Sequence, residues 1–280
     1  MRVGKKRAEL VKKYPCKAVI ARAVGISVYH VHRQSTIDGK DAHLKTVIEK
    51  AWEKHPAYGH IRLGLHLSIN HKRISRVMKK FEMKPPRRKT HHFCTQSTSH
   101  HTYVNRIKNW KPTKPNELWC SDVSFIKFQG RFWYVATIED IVTRQVLAVQ
   151  VGKYHNSQLV LTTIKQALIK AGVAPKVFHT DQGTEFMARL CTQYLEDLGT
   201  HISASDKGSP WQNGFQESFF GKFKDEFGDF NRFETISALI EEIYSQVRYY
   251  NEDRIHRVLK MPPATYALLF SENPRRIWGT

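Results

Sequence analysis

The sequence predicts an α/β chain, a mixed sheet with flanking helices, preceded by a basic all-α region. Three observations carry that reading. Residues 118–151 hold three strand-like runs, LWCSDVSFIKF, RFWYVATIED and QVLAVQV, with turn signals at Gly130 and residues 140–144. Helical and strand-like segments then alternate, which places helices on both faces of the sheet. The excess positive charge is confined to the front of the chain. Residues 1–120 hold 27 Lys and Arg against 7 Asp and Glu, whereas residues 121–280 hold 18 of each. A basic module beside a charge-balanced one points to a polyanion partner, with nucleic acid expected ahead of the plainer reading that the charge serves solubility.

The front region reads as helical. Two short helices are expected within residues 4–33, KKRAELVKKY and CKAVIARAVG, with Gly25 as a turn. Residues 41–54 form a third, with Leu44, Val47, Ile48 and Ala51 at helical spacing. The run HPAYGHIRLGLHLSINHKRISRVMKKFEM holds two more helical stretches around a break at residues 68–70. The last of them sets Ile74, Val77 and Met78 on one face and Lys72, Arg73, Arg76, Lys79 and Lys80 on the rest. A helix-turn-helix recognition helix has this composition, and so does an ordinary surface helix. Residues 1–83 are therefore expected to form a basic, helix-turn-helix-like DNA-binding region. Residues 84–116 have four prolines and no apolar period, and read as a basic linker. Within it Arg87, Arg88 and Lys89 are further candidate DNA contacts. Its His91, His92, Cys94, His100 and His101 fit no standard zinc spacing.

Some classes are excluded. No run approaches the roughly 18 apolar residues of a membrane helix. The opening MRVGKKRAELVKKYP has no apolar stretch behind its charges, so no export signal is expected. Cys16, Cys94, Cys120 and Cys191 lack CxxC spacing and are expected as reduced thiols in a cytoplasmic protein.

Three carboxylates stand where a metal site could form. Asp122 lies in an otherwise apolar strand, where an unpaired charge is costly. Asp181 ends a short strand and precedes Gly183, at the kind of strand end where open α/β sheets place their sites. Glu217 lies on the helix NGFQESFFGKFKDEF. Hard oxygen ligands of this kind suit Mg²⁺ or Mn²⁺. Two such ions about 3.5–4 Å apart can activate a nucleophile and stabilise the leaving oxygen of a phosphodiester. Singly, each residue has a plainer reading: Asp181 as a helix cap, Glu217 as a solvated side chain, Asp122 as the partner of a buried base.

The segments LWCSDVSFI, VFHTDQGTEF and KGSPWQNGFQESFFGKFKDE resemble the three catalytic motifs of DDE transposases and retroviral integrases. Residues 182–216 separate Asp181 from Glu217, which is the thirty-five-residue spacing of that superfamily. HPAYGHIRL, INHKRISRVMKKFEM, PNELWCSD and YYNEDRIHRVLKMPPATY extend the likeness over nearly the full length. Through them the chain resembles the second-reading-frame product of the large two-frame family of bacterial insertion sequences. The resemblance implies an RNase H-like, integrase-type core over residues 117–275 in which Asp122, Asp181 and Glu217 hold two Mg²⁺ ions. It implies DNA cleavage and strand transfer at terminal inverted repeats, with joining to a target duplex. It also implies an upstream-frame product or frameshift fusion as partner, a homo-oligomer on DNA, and a nucleoid-associated place in a bacterial cytoplasm. The rival readings are a DNA-binding regulator with an inactive core and a structure-specific nuclease on the same fold.

Supporting positions follow. His179 shares the strand face of Asp181 and is read either as a contact to DNA or a metal-bound water, or as a packed histidine behind the site. Asn213 and Lys224 project from roughly the helix face of Glu217 and are candidate DNA contacts. Asp140 and Arg144 resemble a family turn in which the two could pair. Tyr250, Asn251, Arg254 and His256 match the family's C-terminal motif and are expected to support the core. The chain departs from the family in reading Trp211-Gln212-Asn213-Gly214, where Asp and Ala are common at the second and fourth positions. Gly214 weakens the helix start by up to about 1 kcal/mol relative to Ala.

Overall fold

The computed structural model describes residues 17–23, 25, 36–85, 103–206 and 213–272. The helix expected over KKRAELVKKY lies outside the described residues, as do Arg87, Arg88, Lys89 and the His/Cys group of residues 91–101.

Helix α1 spans Lys17–Ala23, and Gly25 follows it at φ 68°. Helix α2 spans Thr36–Lys54, starting ahead of the apolar periodicity that marks its core face. Helices α3 (His60–His66) and α4 (His71–Lys80) form a tight pair across the break expected at residues 68–70. The turn closes because Gly64 has no Cβ. One built there would sit 3.0 Å from both the Cβ of His71 and the carbonyl oxygen of Ile69. The Asn70 side chain accepts from the Lys72 amide and caps α4. Leu44, Ile48 and Ala51 of α2 pack with Leu63 and with Ile74, Val77 and Met78 in one small core around Tyr58. The apolar spacing of all three helices thus resolves into a single buried seam.

Strands β1 (Leu118–Phe128), β2 (Arg131–Asp140), β3 (Val146–Gly152), β4 (Val177–Thr180) and β5 (His201–Ala204) form one sheet in the order β3-β2-β1-β4-β5. The β1–β2 and β2–β3 pairs are antiparallel, and β1–β4 and β4–β5 are parallel. Side chains alternate between faces with a period of two. One face sends Trp119 and Ile138 into a core with helices α5 (Ser157–Ala171), α6 (Thr184–Met187) and α7 (Arg189–Asp197). The opposite face sends Ile126, Phe128 and Val135 against the phenylalanines of helix α8 (Gly214–Phe227) and against α9 (Ile236–Glu252). A further helix, α10 (Pro263–Glu272), follows α9.

Residues 103–116 do not stand off as a spacer. Tyr103, Ile107 and Trp110 pack against the two cores next to β4 and β5. The Arg106 amide donates to Ser203 Oγ at 2.9 Å, and its Nε donates to the Ile202 carbonyl. Periodicity could not show this, because the apolar residues of the strap follow the edge of the sheet rather than a helix or strand of their own.

The C-terminal motif joins the units. Asn251 both donates to and accepts from the backbone of Val146, holding the start of β3. Arg254, 1% exposed, grips both carboxylate oxygens of Glu226 near the end of α8. The Ile255 amide donates to Tyr58 Oη at 2.7 Å, and Lys54 pairs with Asp253 at 2.8 Å. His55 Nδ1 and Tyr249 Oη lie 2.9 Å apart. The helical unit is thereby tied to the sheet unit through one short stretch.

Removing one partner of a buried ion pair leaves the other charge uncompensated. Glu226→Gln should therefore lower the unfolding free energy by about 3 kcal/mol. Urea denaturation reads the loss as a fall in midpoint with little change in slope.

Candidate active site

Asp122 sits midway along β1, half-buried, opposite Thr137 of β2 and on the sheet face covered by α8. The first turn of α8 is fastened to β1 just before it and to Thr137 opposite it. Gln216 Nε2 donates to the Cys120 carbonyl at 2.6 Å, and Thr137 Oγ1 donates to Gln216 Oε1 at 3.0 Å. Asn213 Nδ2 donates to the Ser121 carbonyl at 3.3 Å. Gln216 is fully buried, and its neighbour Glu217 is exposed on the first turn.

Asp181 follows the C-terminal end of β4. Cys120 of β1 pairs with His179 of β4, so Asp122 and Asp181 each stand two residues beyond that rung and share a face. Asp181 Oδ1 accepts from the Gly183 amide at 3.0 Å, which fixes the strand-to-helix turn. Burial pushes the Asp122 carboxyl up to about 7, and the negative charges of Asp181, Glu185 and Glu217 add to the shift. Asp122 thus lies within electrostatic reach of three further carboxylates. Among the described residues, no three acidic, histidine or cysteine side chains approach closely enough to hold a metal ion. Like charges without a counter-ion repel, and a hard divalent cation would relieve that repulsion with all-oxygen ligands.

Glu185 is a member the sequence reading missed. It is buried on α6, and its Oε1 lies 2.8 Å from His155 Nε2. Its only sequence signal is its place four residues after Asp181, which gains meaning once a turn and a short helix bring both beside β1.

Several expectations are corrected. Asn213 is no DNA contact of the helix face: it is buried and turned into β1, because the first turn of α8 needs that bond to dock. His179 is fully buried, with Nδ1 2.9 Å from Ser203 Oγ and Nε2 3.1 Å from Ser205 Oγ. With both ring nitrogens bonded to serines, it matches the alternative reading, a packed histidine behind the site. The Arg144 side chain does not pair with the Asp140 carboxylate. That carboxylate accepts from the amides of Asn116, Val142 and Thr143, and the Arg144 guanidinium lies 4.3 Å from the centre of the Phe215 ring.

On α4 the cations divide. Arg76 makes two bonds to the buried Asp41 carboxylate, and Lys80 bridges Asp38 and Asp41. Lys72, Arg73 and Lys79 are exposed. On α8 Lys224 lies over the Phe125 ring of β1 at 5.1 Å, whereas Lys222 turns away and bonds Ser218 Oγ.

Two family models, both described as integrase core domain, match residues 112–210 and 198–263. An uncharacterized transposase-like protein of Haemophilus influenzae is 29% identical over 202 residues, covering 71% of this chain and 94% of the relative. The transposase for insertion sequence element IS904 of Lactococcus lactis is 29% identical over 225 residues, covering 76% of this chain and 88% of the relative. A chain of the simian T-cell lymphotropic virus intasome superposes with a TM-score of 0.51 at 14% identity, over 84% of this chain and 75% of that one. That last likeness concerns the fold alone.

Glu139, two residues beyond Thr137 on the same face, is 2% exposed, and burial pushes its carboxyl up to about 8 from 4.5. Between those values the unfolded chain releases the proton while the folded one keeps it, so stability through this group is lost as pH rises from 4.5 to 8. Glu139→Gln does not titrate. Its stability relative to the parent chain should be higher at pH 8.5 than at pH 4.5, by about 2–4 kcal/mol. Urea melts of both chains at the two pH values test it; an unchanged difference would refute the buried carboxyl's role.

Proposed function

Because this chain belongs to the integrase-core DDE transposases of bacterial insertion sequences, we propose that it cuts and joins element ends by phosphoryl transfer without a covalent enzyme intermediate. The observation that carries the reading is the β1–β4 rung that sets Asp122 and Asp181 side by side, with Glu217 of a third element within electrostatic reach of Asp122. Asp122, Asp181 and Glu217 would hold two Mg²⁺ ions, with Mn²⁺ able to substitute. When bound, the ions lower the pKa of the attacking hydroxyl and neutralise the leaving oxygen. The protein's part is placement. The β1–β4 rung sets Asp122 beside Asp181, the Asp181–Gly183 bond holds the turn, and the Gln216 and Asn213 bonds hold Glu217 at the edge of the same site. Water would open one strand, and the freed 3′-hydroxyl would then attack a target phosphodiester.

DNA is held from two sides in this reading. Lys72, Arg73 and Lys79 on α4 take phosphates of the terminal repeat, and Lys224 on α8 takes a phosphate next to the reacting bond. Arg76 and Lys80 contribute less, since their charge is engaged by Asp38 and Asp41. The resemblance to the two-frame family supports a frameshift fusion or upstream-frame partner, and assembly as a homo-oligomer on DNA.

The test is a joining assay on a duplex carrying the element's terminal repeat, with one end already cut. Strand transfer in Mg²⁺ supports the proposal, and cleavage products alone would make the protein a nuclease. Asp122→Asn, Asp181→Asn and Glu217→Gln should each abolish joining while leaving duplex binding and the folded fraction intact. Normal joining by any of the three removes that residue from the site. Replacing Lys72, Arg73 and Lys79 together by Ala should flatten the salt dependence of duplex binding by about 2–3 log units per log unit of salt, at about 0.9 for each phosphate no longer neutralised. An unchanged slope in a binding titration would show that α4 does not touch the backbone.

A further inference from the structure

A cavity of about 380 Å³ opens beside the candidate active site, on the same face of the sheet. It lies within the roughly 300–1,000 Å³ range of small-molecule pockets. Glu139, Arg144, Phe215, Phe219, Lys222 and His256 are among its lining residues. Its position is set by the β1–β2 register. Asp122 pairs with Thr137, and Glu139 is two residues further along β2, about 7 Å away on the same face. The Thr137–Gln216 bond stands between the cavity and Asp122.

The lining is of three kinds. Phe215 and Phe219 supply aromatic surface, and Phe215 is 37% exposed. Arg144 and Lys222 supply positive charge. Arg144 is aimed there by backbone geometry: it sits at φ 60°, a left-handed conformation rare for a side-chain residue, in the turn that Asp140 ties down. The third kind is unsatisfied polar groups. Glu139 Oε2 and His256 Nδ1 are buried and have no hydrogen-bond partner among the described residues. A buried polar atom left unpaired costs free energy, and a group that satisfies both from within the cavity recovers it. Burial also keeps Glu139 protonated near neutral pH, so its carboxyl can donate.

An inorganic anion would use the two cations but leave the aromatic wall and the Glu139–His256 pair without a role. An apolar ligand would use the rings alone. A nucleotide uses all three, with a flat base carrying donors and acceptors and a phosphate attached to it. We propose that this cavity receives a single nucleotide drawn out of the DNA strand next to the reacting phosphodiester. Its base would lie against Phe215 and Phe219, its edge would meet Glu139 and His256, and its phosphate would sit between Arg144 and Lys222. The proposal rests on the DNA-joining reading above and adds the partner of a second subsite to it. It also gives the Asp140–Arg144 turn a task, which is to hold a cation over an aromatic ring at the mouth of the pocket.

The experiment compares two duplexes of identical sequence, one fully paired and one with a single unpaired nucleotide bulged from one strand. Competition titrations with the full chain give the ratio of their affinities. An unpaired base needs little energy to leave the stack, so a nucleotide pocket favours it. The wild-type chain should prefer the bulged duplex by about tenfold, given the usual strength of base–aromatic stacking. Phe215→Ala should remove most of that preference and Phe215→Trp should keep it. Glu139→Gln should change which bulged base is bound best. Because each result is a ratio within one variant, a reduced folded fraction does not alter it. Equal affinity of the wild-type chain for both duplexes would overturn the proposal. So would a preference that survives Phe215→Ala, or one that is untouched in Arg144→Ala with Lys222→Ala while both affinities fall, which marks a plain phosphate surface. A chain that joins DNA ends yet shows no preference loses only the pocket. A chain that binds neither duplex loses the strand-transfer reading as well.

Discussion

The docking of the first turn of α8 on β1 is the constraint on which the rest depends. Glu217 is an exposed residue of a helix that begins with Gly214, a poor helix former. Nothing local would hold it beside a strand. Gln216 supplies the restraint by accepting from Thr137 and donating to the Cys120 carbonyl, in a fully buried position. Asn213 adds a second bond one turn earlier. A buried amide with its partners in place is stable, and the same amide without them is costly, so the helix has one favourable seat. The phenylalanine face of α8 then seals that seat against the sheet.

The seat creates an electrostatic problem that fits the chemistry of the family. Asp122 is half-buried among like charges, and its carboxyl is pushed up to about 7. A hard divalent cation would be a fitting counter-charge for such a site. Elsewhere the protein neutralises its buried acids in other ways. Asp41 is held by Arg76 and Lys80, Glu226 by Arg254, and Asp140 by backbone amides. The acids around Asp122 contrast with these: among the described residues, only Glu185 of the group forms an ion pair, with His155.

The stretch from Tyr249 to His256 links three features of the fold. Asn251 pins β3, Arg254 pins the end of α8, and Ile255 meets Tyr58 of the helical unit. His256 lines the cavity next to the acidic site. By this route the helical unit has its position fixed relative to the end of α8 and the candidate site, as the proposed registration of a bound strand would require.

By itself the sequence determined the alternation of strands and helices, the segregation of charge, and the three acids with their spacing. Each of these is written in local order: a period of two or of 3.6, a run of lysines, a motif of fixed length. The apolar positions of α2 and α4, the break between α3 and α4, and the place of Asp122 within β1 were legible for that reason. Tertiary structure alone decided what faces what. Asn213 reads as an outward contact and is turned inward, and His179 admits two readings, because the partners that claim them, Ser121, Ser203 and Ser205, are distant in sequence. Arg76 and Lys80 read as DNA contacts and are engaged by acids of α2. Glu185 carried only its spacing from Asp181, and the Glu139 cavity carried no signal, since a carboxylate's role depends on its burial and its neighbours. Those are set by long-range packing, and a linear pattern does not encode them.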